Sequence, residues 1–156
     1  MALASSCSQV SAVASLALVS CCRNNAEAAG AFLPDLIDRL IQGPLSNNRI
    51  DPGSITVRVR AMGATACLAQ VNAEGFEPYY GRIMQGLLGT LQVASVDLAA
   101  AALEAATIIG QVMGKEIFQS DADKLLAWIM PILQNTESPI LEACLLASAR
   151  IASVLE

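Results

Sequence analysis

The sequence predicts an all-α protein built from repeated pairs of helices. The chain is 54% hydrophobic but only 4% aromatic. Ala, Leu, Ile and Val carry most of its apolar side chains, and few stretches alternate with the period of a strand. Similar segments recur at nearly equal spacings around Phe32, Phe76 and Phe118. The spacings fall within the period of about 40–47 residues that is typical of helical solenoids.

The first helix of each pair is rich in large apolar residues. In the stretch GFEPYYGRIMQGLLG, large apolar side chains recur at helical spacing from Tyr80 to Leu88. Pro34 and Pro78 stand where the first turn of a helix tolerates proline. Ser120, with Asp123 three residues later, is a plausible helix start. These patterns predict first helices over residues 31–42, 77–92 and 120–134.

The second helix of each pair is rich in alanine. The segment VRVRAMGATACLAQV aligns without gaps with LAAAALEAATIIGQV and with ILEACLLASARIASV, so that Val57 matches Leu98 and Ile140. Small or apolar residues recur at Val57, Ala61, Ala64 and Leu68 and at their equivalents, which is a helical stripe. Small residues there allow two helices to approach closely. The predicted second helices are 55–72, 96–113 and 139–156, with Ser138 before Pro139 as a start signal for the last.

A seventh helix over about 4–22 has the character of a second helix whose first helix is missing. The Gly- and Pro-rich stretch 43–54 predicts a loop between the two helices of one unit. We therefore expect one array over residues 1–156, a part of a longer solenoid. It comprises a half repeat and three units of about 30–72, 76–113 and 118–156.

The composition argues against several functional classes. The formal net charge is −5, and no cluster of Lys or Arg indicates nucleic-acid binding. The chain has five cysteines and no histidine, and the cysteine spacings match no zinc pattern, so we expect no metal and no cofactor. The stretch 1–22 lacks the basic region of a signal peptide. No segment has about 18 uninterrupted apolar residues, so we expect no membrane span.

The sequence also contains few features that indicate an enzyme. No histidine is available as a general base, and neither a Gly-x-Ser-x-Gly nor a phosphate-loop motif occurs. Asp121 and Asp123 are explained by the start of a helix, where acidic residues are favourable. We therefore expect a protein that is not an enzyme and that has no catalytic residues.

The sequence resembles a HEAT repeat. Val57-Arg58-x-x-Ala61 stands early in a second helix, and Asp51-Pro52 precedes that helix. The resemblance implies a right-handed α-α superhelix, here of about seven helices in three and a half repeats. In HEAT proteins, the acidic residue and the Arg often form a ladder between repeats. Ala99 and Leu141 stand at the positions equivalent to Arg58, so a continuous ladder is not expected.

A narrower resemblance is to the middle region of karyopherin-beta proteins of the importin beta-3 type. It is carried by Phe76-Glu77-Pro78-Tyr79-Tyr80, by Ile108-Ile109-Gly110 and by Gly114-Lys115-Glu116-x-Phe118, with Leu33-Pro34-x-Leu36 upstream. The resemblance covers about residues 10–156. It implies a section of a nuclear transport receptor, which shuttles between cytoplasm and nucleus. The implied partners are protein cargo with a basic nuclear-localisation segment, the GTPase Ran and nuclear pore proteins.

Two other functions stay open. One is a HEAT scaffold of another kind, such as a phosphatase regulatory subunit or a vesicle-coat adaptor. The other is a small standalone helical enzyme or regulator.

The resemblance also places the binding surface. In curved HEAT arrays the second helices line the concave face, where residues off the core stripe meet the ligand. Glu104 and Glu142 are natural partners for a basic segment, since Lys or Arg pairs with carboxylate. The protein-binding candidates are Arg60, Gln70, Glu104, Gln111, Glu142 and Arg150, with Cys67 and Ser153 as further members of this surface.

Overall fold

The computed structural model describes residues 51–93 and 95–156, together with Ala17, Pro34, Asp35, Ile37, Asp38, Leu40 and Ile41. Most of these residues are helical and none lies in a β-strand, so the predicted all-α class is confirmed. The long helices are α1 Pro52–Val71, α2 Tyr80–Thr90, α3 Val96–Met113, α4 Lys115–Leu133 and α5 Leu141–Leu155.

The described residues form five long helices, not the predicted seven. The other two predicted helices, 4–22 and 31–42, lie largely outside the described residues. Within them, Ala17, Pro34, Asp35, Ile37, Asp38 and Leu40 are α-helical. The half repeat at residues 1–22 and most of the loop 43–54 also lie outside the described part.

Helix α1 starts earlier than the sequence predicted. The Asp51 carboxylate accepts a hydrogen bond of 3.0 Å from the backbone N–H of Ser54, and Pro52 occupies the first turn. This is a regular N-terminal cap followed by a proline that loses no helical hydrogen bond. Residues 52–54, predicted as the end of a loop, therefore belong to the helix.

The chain turns between α1 and α2 through two short helical segments. The Asn72 side chain accepts a hydrogen bond of 3.0 Å from the Gly75 N–H and caps the segment Ala73–Phe76. A 3₁₀ turn, Glu77–Tyr79, then leads into α2. The predicted helix 77–92 is thus a 3₁₀ turn and an α-helix that ends at Thr90.

Helix α4 begins at Lys115, before the predicted start at residue 120. Gly114 has φ +82°, a conformation that a residue with a side chain rarely adopts, and the chain reverses there between α3 and α4. Ser120 lies inside α4 and does not cap it. Ser138 contributes its carbonyl oxygen, 3.1 Å from the Leu141 N–H, and α5 has no side-chain cap.

The packing centres on α3. Helices α1 and α5 lie on either side of it, and α2 and α4 also pack against it. Alanines predicted to permit close helix packing are buried, among them Ala61, Ala64 and Ala105. Large side chains from α2 and α4, such as Ile83 and Leu125, complete the same core. The Ala-rich helices therefore approach each other closely, and the helices with large side chains cover them.

Several contacts join residues about one repeat apart. Tyr80 Oη donates to Asp121 Oδ2 over 2.8 Å across 41 residues, and Arg82 pairs with Asp38 at 3.2 Å across 44 residues. The Lys115 ammonium donates to the Leu155 carbonyl across 40 residues. The repeat period read from the sequence is therefore also the separation of residues that touch.

Helix α3 is long and apolar enough to cross a membrane, by length and composition alone. Half of it is buried within the protein, between α1 and α5. This is the environment of a core helix.

Arg58 is 2% exposed and does not form a ladder with Asp51, which caps α1 instead. Its Nη2 donates to Thr90 Oγ1 at 3.4 Å, a long hydrogen bond, and its Nε and Nη1 have no partner among the described residues. Burial lowers the pKa of Arg58. In the described units, Arg58 thus links α1 to the end of α2.

Candidate functional site

An open groove crosses α1, α3 and α5 on the side away from α2 and α4, with a volume of about 500 Å³. We call it the second-helix groove. Each of the three helices contributes four residues, and the full set is Ile55, Thr56, Val59, Arg60, Asp97, Ala100, Ala101, Glu104, Ala143, Leu146, Ala147 and Arg150.

Small residues create the groove. Ala100, Ala101, Ala143 and Ala147 form its floor, where longer side chains would fill the space between helices. Leu146, which is 55% exposed, lies at its edge. A surface of this shape offers apolar contact to a side chain inserted from outside.

The same repeat positions recur along the groove. Arg60, Ala101 and Ala143 are equivalent in the alignment of the three second helices, and all three line it. A second depression of about 340 Å³ adjoins it between α1 and α3 and shares Val59, Ala101 and Glu104. The depression also includes Gly63, equivalent to Glu104, and the predicted residues Cys67 and Gln70.

The charged side chains of the groove are balanced. Arg60 and Arg150 carry positive charge, and Asp97 and Glu104 carry negative charge. Arg150 Nη2 lies 3.9 Å from Glu104 Oε1, at the outer limit of an ion pair. Because both groups reach solvent, this contact is weak and a ligand can displace it.

The structure brings together three of the six predicted binding residues, Arg60, Glu104 and Arg150, in the second-helix groove. Gln70 lies in the adjoining depression. Gln111 Nε2 instead donates to Ser153 Oγ at 3.3 Å and joins α3 to α5. Glu142 is exposed in the first turn of α5 but does not line the groove. The role of these residues in binding stays a prediction.

Sequence reasoning missed Asp97 and Leu146. Asp97 is equivalent to Thr56 when α1 and α3 are aligned, and both line the groove. The alignment of the repeats could therefore have predicted that Asp97 lies in the groove. Leu146 is equivalent to Glu104, but it is apolar, so the search for polar contact residues passed over it.

No group of three or more His, Cys, Asp or Glu side chains in the described residues is arranged to hold a metal ion. Cys67 and Cys144 are free thiols, and burial raises the pKa of Cys144. Most residues that line the second-helix groove are apolar or charged, so they can offer a ligand apolar contact and charge pairing.

The described residues form an all-helical fold with an open groove lined by alanines and charged side chains. Compared with known proteins, the chain matches no family model and no solved structure. It is similar to importin subunit beta-3 of Saccharomyces cerevisiae, with 30% identity over 108 residues. The match covers 66% of this chain and 10% of that protein, so it spans about a tenth of the relative's length.

Proposed function

We propose that this chain is a HEAT-repeat section of a nuclear transport receptor of the karyopherin-beta class, and that it binds protein ligands without catalysing a reaction. The observation that carries the proposal is the 30% identity to importin subunit beta-3 over 108 residues. According to this proposal, the chain acts in Ran-regulated protein import and shuttles between cytoplasm and nucleus. Contacts with Ran and with nuclear pore proteins belong to the same proposal.

The packing supports a superhelical array. The backbone of α3 approaches those of α1 and α5 closely, whereas the backbones of α2 and α4 hardly meet. Helices that pack closely on one side and spread on the other generate curvature, with the close-packed helices on the inside. The second-helix groove would then lie on the concave side, as in the repeat arrays that bind ligands there.

The ligand we propose is a basic nuclear-localisation segment. A Lys side chain can take the place of Arg150 beside Glu104, since the present contact is 3.9 Å long. Asp97 is a second carboxylate in the same groove, and an apolar ligand residue can rest on the alanine floor beside Leu146. Arg60 and Arg150 repel a wholly basic ligand, so binding to this section alone should be weak and salt-sensitive.

Fluorescence anisotropy of a labelled Lys-rich localisation peptide, over a series of salt concentrations, tests the proposal. We expect saturable binding that weakens with salt and is lost in an Asp97→Lys/Glu104→Lys variant, which reverses both carboxylates of the groove. The control is Glu74→Lys/Asp123→Lys, whose exposed sites lie outside the groove. Both variants change the formal net charge from −5 to −1, since each substitution adds two charges.

Two results would count against the proposal. Equal loss in the two variants would mean that the peptide responds only to net charge. If the natural sequence does not bind the peptide at high protein concentration, this section does not contain the cargo site. Circular dichroism of each variant checks that the helical fold is retained.

A further inference from the structure

The charged side chains of the second-helix groove are ordered by helix. Arg60 belongs to α1, Asp97 and Glu104 belong to α3, and Arg150 belongs to α5. Helix α3 lies between the other two helices. A ligand that crosses the groove from α1 to α5 therefore meets a positive charge, then two negative charges, and then a positive charge again.

The two carboxylates stand on either side of one point on α3. Ala101, the repeat equivalent of Arg60, follows Asp97 by four residues and precedes Glu104 by three, so these residues of α3 share one face. Successive turns of a helix are about 5.4 Å apart. Successive side chains of an extended ligand point in opposite directions. Two consecutive basic residues over Ala101 can therefore reach one carboxylate each.

Two of the four charged groups are unpaired in the described part of the chain. Arg60 and Asp97 are exposed and form no ion pair there. Arg150 lies 3.9 Å from Glu104, and their side chains are 30% and 65% exposed. A ligand cation that displaces Arg150 leaves this guanidinium beside the groove, where an acidic ligand residue can pair with it.

We propose that the ligand of the second-helix groove is a mixed-charge protein segment, with two basic residues at its centre and an acidic residue on each side. This inference rests on the proposed function and specifies the charge pattern of the ligand. A wholly basic segment pairs with Asp97 and Glu104 but meets Arg60 and Arg150 as like charges. The mixed-charge segment offers each of these four groups a charge of opposite sign.

The spacing of the helices determines how far apart the ligand charges lie. Packed helices are about 8–10 Å apart, and an extended chain advances about 3.3 Å per residue. About three residues therefore separate each acidic residue from the nearer basic residue. The peptide Glu-Ser-Gly-Lys-Lys-Gly-Ser-Glu has this spacing, and we call it the acid-flanked peptide.

The test compares this peptide with one of identical composition and inverted charge order, Lys-Ser-Gly-Glu-Glu-Gly-Ser-Lys. Neither peptide has net side-chain charge, so the net charge of the protein favours neither. Fluorescence anisotropy at low salt measures binding of both to the natural protein. We expect the acid-flanked peptide to bind about fivefold more tightly or better, because several ion pairs act together that are each weak alone.

Reversing the two arginines of the groove should remove this preference. In Arg60→Glu/Arg150→Glu, the acidic ends of the peptide meet carboxylates. The control is Arg82→Glu/Lys124→Glu, whose exposed residues lie on α2 and α4 outside the groove, and it should keep the preference. Both variants change the formal net charge from −5 to −9, since each substitution replaces a positive charge by a negative one.

The comparison of the two peptides on the natural protein does not depend on how well either variant folds. Equal binding of the two peptides, tighter binding of the inverted peptide, or no binding of either would overturn the inference. So would a preference that survives in Arg60→Glu/Arg150→Glu, or one that the control loses equally.

The Lys-rich localisation peptide, measured alongside, separates this inference from the proposed function. If the Lys-rich peptide binds in the groove but the natural protein does not distinguish the other two peptides, the charge pattern is wrong and the proposed function stands. If none of the three peptides binds, both are overturned.

Discussion

Tyr80 Oη donates a hydrogen bond of 2.8 Å to Asp121 Oδ2, and it joins helices that lie one repeat apart in the chain. Tyr80 is 8% exposed, and Asp121 also pairs with Lys124 at 2.7 Å. The bond connects α2 to α4, whose backbones hardly meet. It therefore ties together two helices that share few backbone contacts.

We expect Tyr80→Phe to lower the free energy of unfolding by about 1–2 kcal/mol, because a largely buried hydrogen bond to a carboxylate is lost while the ring still packs. Urea unfolding measures the change. The control is Tyr79→Phe at the half-buried neighbour, with an expected change within about 0.5 kcal/mol. Equal losses in both variants would show that the bond to Asp121 contributes nothing of its own.

The same bond predicts a dependence on alkaline pH. Burial, and next the hydrogen bond to Asp121, raise the pKa of Tyr80 above its ordinary value. Above about pH 10 the unfolded chain therefore releases a proton that folded Tyr80 retains. Since the folded state then binds more protons, stability falls as pH rises.

Unfolding of the natural protein and of Tyr80→Phe between about pH 9 and pH 11.5 tests this dependence. The stability advantage of the natural protein should be constant below about pH 10 and shrink above it, by at most about 1.4 kcal/mol per pH unit. An advantage that persists unchanged to the top of this range would contradict the assignment.

Gly110 is predicted to be required for the close approach of Phe118. Gly110→Ala should lower stability by about 1–3 kcal/mol, because the new methyl group overlaps a rigid ring. Gly63→Ala is the control, since a Cβ atom there meets nothing within 4 Å. It should be neutral or stabilise by up to about 1 kcal/mol through helix propensity. Thermal unfolding that ranks the two variants in the opposite order would refute this packing.

The buried guanidinium of Arg58 is predicted to lower the free energy of unfolding, compared with an apolar side chain at the same position. Its guanidinium is buried with one long hydrogen bond, to Thr90, and Thr90 Oγ1 also donates to the Gly86 carbonyl at 2.9 Å. Arg58→Met keeps an unbranched chain and removes the buried charge, so stability should rise by about 1–2 kcal/mol. Arg60→Met, at an exposed position, should change it little. A loss above about 1 kcal/mol at Arg58 would indicate a favourable role for the buried charge.

Periodicity was enough to predict most helices from sequence. The stripe of small residues located α1, α3 and α5 to within three residues at each end, because burial on one face imposes a helical period. The start of α4 was predicted wrongly. Ser120 and Asp123 resemble a cap, but the turn at Gly114 had already started the helix.

The candidate site was predictable only as far as the repeat register extends. Arg60, Glu104 and Arg150 share the groove because their helices align. The pairing of Gln111 with Ser153 depends on distances between helices, which the sequence does not contain. The contact between Arg150 and Glu104 likewise depends on the distance between α3 and α5.

The central claim is that the second-helix groove binds a basic protein segment. The most direct test is an NMR titration of the isotope-labelled protein with a Lys-rich localisation peptide. The account predicts saturable shifts of backbone amides around Arg60, Glu104 and Arg150. Shifts confined to α2 and α4, around Arg82 and Lys124, would contradict it. The absence of shifts at a high peptide concentration would contradict it as well.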